Sequence, residues 1–222
     1  MALENKNPSM PMPVVVLVSG NGSNLQAIID HMQTGELPIT IRAVISNRPE
    51  ALALQRAHNA HIQTEVVDHK NFPDRESFDK ALAETIDKYK PELIIMAGFM
   101  RILTEAFVLR YEGRMMNIHP SLLPKYKGLN THQRVIEAGD KEHGASVQFV
   151  THDLDSGPVA IQAKVPVLEN DTPELLAERV LKEEHQIYPL AILWFAQGKL
   201  KLEKNIATFN GHKLDKPITP DE

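Results

Sequence analysis

The chain contains no cysteine. Disulfides and thiol nucleophiles are therefore excluded, and the absence fits a cytoplasmic address. Aromatic residues are scarce, at 5% of 222 residues with a single tryptophan, and no basic run occurs. A nucleic-acid surface of stacking rings and Lys/Arg stripes has no material here, and none is expected. The net charge of −5 points the same way. No apolar run reaches membrane-spanning length, so no membrane insertion is expected. The stretch Met1–Pro13 lacks a basic segment followed by an apolar one, which argues against a signal peptide. Residues 1–12 read instead as a flexible lead-in. The ten histidines include no His-Glu-x-x-His and no comparable cluster, so no metal is expected.

What is present is an alternation of strand and helix patterns. Val14–Ser19 is a nearly continuous β-branched run, as in a strand buried on both faces. Helix is expected over Leu25–Met32, Glu50–Asn59, Asp74–Tyr89 and Glu105–Tyr111. Strands are expected at Ile39–Ile45, Gln63–Val67, Leu93–Ala97 and Arg114–Ile118. Phe78, Leu82 and Ile86 recur every fourth residue, as on one helix face, and Pro91 closes that helix. This order predicts an α/β fold: a Rossmann-like, mostly parallel sheet flanked by helices. Ala145–Thr151 and Val159–Val167 read as strands with no helix between them, so antiparallel strands are expected in the C-terminal half. Pro173–Ala196 is a long helix that Pro189 should kink. The segment 125–144 reads as a long mobile loop with three glycines, and Lys199–Thr219 as a hairpin tail. With no repeat or linker, residues 13–222 form a single expected domain. Residues 13–111 are its phosphate-binding half and 112–200 its catalytic half.

Two segments carry chemistry. Ser19-Gly20-Asn21-Gly22-Ser23-Asn24 follows the first strand and opens the first helix. Glycines admit close approach of a ligand, and the helix start offers free N–H groups to an anion. The spacing matches neither the dinucleotide fingerprint nor the Walker loop, which favours a monophosphate. The alternative is a tight turn capped by Ser23 or Asn24. The second segment is Asn117-Ile118-His119-Pro120-Ser121-Leu122-Leu123-Pro124, followed by Asp155 in Asp153-Leu154-Asp155-Ser156-Gly157-Pro158. Asn117 and His119 share one face of an extended segment. An amide can hold the oxyanion of a tetrahedral intermediate. An imidazole can add a second bond or move a proton, and a carboxylate can orient it. Each residue alone could be an ordinary turn or loop group. The combination, at the end of a parallel strand, favours an active site.

Three further features are less decisive. Gly98-Phe99-Met100-Arg101-Ile102-Leu103 could hold a flat heteroaromatic ring, or pack into the core. Arg75 could reach a phosphate or stay solvated. Glu184 could meet a substrate amine or face solvent, since helix periodicity leaves its direction open.

Taken together, these segments resemble the folate-dependent phosphoribosylglycinamide formyltransferase family of purine biosynthesis. The resemblance runs from about Val14 to Leu200, with motifs in the expected order. It implies a catalytic set of Asn117, His119 and Asp155. It implies ribonucleotide binding by Gly22, Ser23, Asn24, Arg75 and Glu184, and folate binding by Met100, Arg101, Ile102, Leu103 and Leu154. The implied substrates are 10-formyltetrahydrofolate and glycinamide ribonucleotide, on a monomer or homodimer. Gln148 and Asn130 stand where some members carry histidine, which removes those positions as titrating groups. A tRNA-acting formyltransferase is expected to carry a further basic domain. A formyltetrahydrofolate hydrolase is expected to carry a regulatory domain ahead of the first strand. A non-catalytic nucleotide-binding protein would not be expected to retain Asn117, His119 and Asp155 together.

Overall fold

Seven strands form one sheet in the order β3-β2-β1-β4-β5-β6-β7. They are seen in a computed structural model that describes residues 10–220. In chain order the elements begin β1 (Met12–Val18), α1 (Ser23–Gln33), β2 (Ile39–Ser46), α2 (Leu52–Asn59) and β3 (Thr64–Val66). A short 3-10 turn, His69–Asn71, leads to α3 (Arg75–Asp87), β4 (Leu93–Met96), α4 (Glu105–Arg110) and β5 (Met115–His119). Then come α5 (Thr131–Ala138), β6 (Glu142–Phe149), β7 (Val159–Pro166) and α6 (Pro173–Ala196). β1 to β5 are mutually parallel, while β6 runs antiparallel to both β5 and β7. The α/β class and the antiparallel C-terminal additions are as expected from the sequence.

The period of two along β1 builds both cores. Val14, Val16 and Val18 join a cluster with α1, α2 and α6, while Val15 and Leu17 join a second with α3 and α4. A strand buried on both faces has no polar side to offer, hence the unbroken apolar run. The order reverses between β1 and β4, so their following loops diverge and open a crevice at the carboxyl ends of the strands. No helix among the described residues is long and apolar enough to cross a membrane.

Several expectations need correction. The expected lead-in falls on residues 1–9, which lie outside the described residues, and on Met12, which is already in β1. The segment 125–144 is no structureless loop: it contains α5 and the start of β6. Apolar periodicity is weak there because α5 buries only Thr131 and Val135. The buried start of β6 is His143 and Gly144. A Cβ on Gly144 would lie 1.9 Å from the Ala163 carbonyl oxygen, so only glycine fits against β7. The tail is not a simple hairpin but a three-stranded antiparallel sheet. Its strands are β8 (Leu200–Glu203), β9 (Ile206–Phe209) and β10 (His212–Lys213). The long helix is as expected: α6 spans Pro173–Ala196 with Pro189 inside it.

Candidate active site

The loop after β1 lies at the β1/β4 divide. Gly22 is the N-cap of α1 in left-handed conformation, φ 77°, which glycine adopts without strain. It supplies no side-chain cap, so the first N–H groups of α1 are not closed off by a capping oxygen. Polar contacts from Ser19 and Asn24, at its two ends, tie this loop to its surroundings. The buried Ser19 hydroxyl donates to Asn47 Oδ1 at 2.5 Å and accepts from the Met100 N–H at 2.7 Å. The loops after β1 and β4 are thereby joined through one oxygen. Asn24 Nδ2 donates to Glu184 Oε2 at 2.6 Å. Glu184 is thus turned inward on α6, which settles its direction, and burial pushes its carboxyl above the usual range despite the Asn24 bond. Asn24 Oδ1 is buried without a partner, leaving an acceptor beside that carboxylate.

Asn117 and His119 end β5, two residues apart on one face. Leu17, Met96 and Asn117 are aligned across β1, β4 and β5, so the two loop systems stand about 10 Å apart at strand spacing. His119 Nε2 lies 3.0 Å from the Tyr126 carbonyl oxygen. A carbonyl only accepts, so Nε2 carries a proton and donates it there. His119 Nδ1 lies 3.5 Å from Asp155 Oδ2, and both side chains are more than nine-tenths buried. Asp155 Oδ2 also accepts from the Gly128 N–H at 2.9 Å, and its Oδ1 accepts from Gln148 Nε2 at 3.1 Å. Gln148 is directly opposite Asn117 in the β5/β6 ladder, so it shares that face.

How Asp155 arrives here is a matter of backbone. A Cβ on Gly157 would fall 1.8 Å from the Phe149 carbonyl oxygen. The absence of a side chain lets residues 150–158 close onto the end of β6, where the Phe149 N–H donates to the Pro158 carbonyl at 3.0 Å. Asp155 itself has φ 46°, a left-handed conformation that aspartate tolerates better than most residues.

The remaining expected ligand residues divide. Met100, Ile102 and Leu154 are apolar and about half exposed or more, as a rim awaiting an apolar partner would be. Leu103 is buried in the core with α3 and α4. The Arg101 guanidinium lies over the Phe78 ring, 5.6 Å from its centroid. At Arg101 and Leu103 the side chains therefore pack inward, leaving the main chain as the group to meet a ligand. Arg75 opens α3, is exposed, and makes no hydrogen bond to the loop after β1 among the described residues. Its charge acts on the buried Asp79. Sequence reasoning gave Tyr126, Gly128 and Arg56 no role in the site, because their contacts to this region are long-range or through the main chain. Among the described residues, no group of three or more His, Asp or Glu is arranged to hold a metal ion.

The formyl transferase family model matches residues 12–192. Over 203 residues the chain is 53% identical to the phosphoribosylglycinamide formyltransferase of Escherichia coli K12, covering 91% of this chain and 96% of that relative. The corresponding Haemophilus influenzae protein is 47% identical over the same shares. A solved structure of phosphoribosylglycinamide formyltransferase from Coxiella burnetii, in complex with CHES, matches with a TM-score of 0.91 at 54% identity. It covers 94% of this chain and 99% of that one. The chain therefore belongs to the formyl transferase family. Within that family it falls among the phosphoribosylglycinamide formyltransferases, and it is a transferase.

Proposed function

We propose that this enzyme moves the formyl group of 10-formyltetrahydrofolate directly to the amine of glycinamide ribonucleotide, using Asn117, His119 and Asp155. The observation that carries the reading is the buried His119–Asp155 contact at the end of β5, on the face that Asn117 shares. The ribose phosphate would sit on the N–H groups of Ser23 and Asn24, and the amine beside Glu184. Arg75, on this reading, reaches the phosphate only if its exposed side chain turns toward it. Met100, Ile102 and Leu154 would cover the folate, with the main chain of Arg101 and Leu103 at its edge.

In the reaction the amine attacks the formyl carbon, and the carbonyl electron pair moves onto oxygen. Asn117 donates a hydrogen bond to that oxygen. His119 is anchored through Nε2 to Tyr126, so its other nitrogen is the one available to the reacting centre. Nδ1 donates only when protonated, and Asp155 is the anion that pairs with that cation. The contact of 3.5 Å is looser than an ordinary hydrogen bond, leaving Nδ1 able to turn to the oxyanion. Collapse breaks the bond from the formyl carbon to the folate nitrogen. The attacking amine loses a proton, the departing nitrogen gains one, and Asp155 assists that transfer.

The test is a formyl-transfer assay with and without the ribonucleotide. Turnover that needs the ribonucleotide, and falls at least a hundredfold in His119→Ala and Asp155→Asn, is expected. Near-normal turnover in either variant overturns the residue assignment. Deformylation with no amine acceptor would make the enzyme a hydrolase.

A further inference from the structure

The N–H groups that open α1 can grip a phosphate only if the preceding turn holds one shape. That turn contains Gly20 and Gly22, the least restrained residues available. What restrains it is α2, a helix with no part in the catalytic set. The Ala53 N–H donates to the Gly20 carbonyl at 3.0 Å. The Ala53 methyl lies beneath Gly22, where a Cβ would come within 2.6 Å of it. Arg56 then takes hold of Asn21 at two points. Its Nε donates to the Asn21 carbonyl at 2.8 Å and its Nη2 to Asn21 Oδ1 at 2.8 Å. A longer contact of 3.4 Å joins Nη1 to Gln26 Oε1, on the first turn of α1.

The double grip has a geometric consequence. A trans peptide is planar, with its C=O and N–H pointing in opposite directions. Drawing the Asn21 carbonyl onto Arg56 therefore turns the Gly22 N–H away from Arg56. Fixing the side chain of Asn21 as well removes the remaining freedom of that residue. Two of the three guanidinium nitrogens are engaged by Asn21 in the turn and the third reaches Gln26 on α1, so the contacts Arg56 makes are to the loop and the helix it opens.

We propose that Arg56 is a positioning residue for the ribonucleotide phosphate: its planar fork locks Asn21, and so sets the direction of the N–H groups that bind the anion. This inference rests on the reading of the loop after β1 as the phosphate site. It differs from a simple charge effect, because lysine keeps the charge and loses the fork.

The experiment is steady-state kinetics on Arg56→Lys, Arg56→Gln and Asn21→Ala, with inorganic phosphate as a competitive inhibitor against the ribonucleotide. Thermal melts establish that each variant is folded. In all three variants the KM for the ribonucleotide and the inhibition constant for phosphate should rise together, about tenfold. The kcat and the KM for the formyl folate should stay within twofold. Arg56→Lys combined with Asn21→Ala should be no worse than Arg56→Lys alone, since losing the fork already removes the bond to Asn21 Oδ1. A wild-type KM in Arg56→Lys overturns the proposal, because charge alone then suffices. A parallel loss of kcat and of both KM values also overturns it, as general damage to the fold. Ser23→Glu separates the underlying reading: it should abolish phosphate inhibition by repulsion. If Ser23→Glu leaves that inhibition intact, the loop is not the phosphate site and both ideas fall. If Ser23→Glu abolishes it while Arg56→Lys behaves as wild type, the loop reading stands and the role of Arg56 falls.

Discussion

Gln148 shows how much one amide can decide. Its Nε2 holds Asp155 Oδ1, while its own Oε1 is buried without a partner. A carboxylate accepts only, which fixes the amide orientation with the NH2 toward Asp155. The residue is opposite Asn117, on a strand that also supplies Ser146, the cross-strand neighbour of His119. Removing the amide leaves Asp155 held by the Gly128 N–H and the His119 contact alone. In Gln148→Leu we expect kcat to fall about tenfold, equivalent to ~1.4 kcal/mol of transition-state stabilisation, with both KM values little changed. Gln148→His can restore one donor and should recover most of the rate. Because glutamine does not titrate, it should add an ionisation to the pH–rate profile that the parent lacks. Wild-type kcat in Gln148→Leu would remove this residue from the account of Asp155.

At the scale of elements, the connection from β6 to β7 places the carboxylate, and Gly157 is its fulcrum. An alanine there would put a methyl 1.8 Å from the Phe149 oxygen, a distance no packing accepts. The connection must lift, carrying Asp155 with it. Gly157→Ala should fold, at a cost of about 1–3 kcal/mol from overpacking, yet lose at least tenfold in kcat. Urea titration and initial rates on the same preparation check both halves, and unchanged kcat would mean that Asp155 is held independently of this turn. The same connection marks where sequence legibility ends. The parallel half could be read because β1 and β4 are apolar runs and β2 is an apolar strand broken by the exposed Thr40 and Arg42, and the pair Asn117–His119 follows from a period of two. Nothing local joins Asp155 to His119, and that pairing could be read only from the chemistry of a carboxylate orienting an imidazole and from the resemblance. α5 and the start of β6 escaped because, apart from Val135, what they bury is Thr131, His143 and Gly144, chosen by contact with other elements and not by periodicity. Arg56 escaped for the same reason: its partner lies 35 residues away in sequence. Glu184 could not be oriented until Asn24 was seen against it.

For the molecule as a whole, the most consequential buried polar contact outside the site is the histidine pair that docks α5 on β6. His132 Nδ1 and His143 Nε2 lie 3.0 Å apart, with one N–H between them. The Tyr126 ring meets His143 edge-on at 6.4 Å, and His119 is close enough for its charge to act on both. Burial, with the repulsion of His132 and His119, pushes His143 down to about 4, against the opposing pull of Asp140. His132 is lowered as well, chiefly by burial. The sign follows from comparing the two states. As the pH drops below the ordinary histidine value of 6.5, the unfolded chain takes up a proton at position 143 and the folded chain does not. The stability contributed by the neutral pair is complete above that value and is lost as the pH falls toward 4. At pH 5 the loss from His143 alone amounts to about 2 kcal/mol. Urea unfolding at pH 7.5 and pH 5 should show the parent losing stability on acidification. His143→Gln should be less stable at pH 7.5, because the close-packed pair is broken, but should lose less on acidification. α5 follows directly on the loop carrying the Tyr126 carbonyl and the Gly128 N–H, which engage His119 and Asp155. Acid should therefore loosen the catalytic face and the fold together. A parent and a His143→Gln protein with the same stability loss between the two pH values would place the acid sensitivity elsewhere.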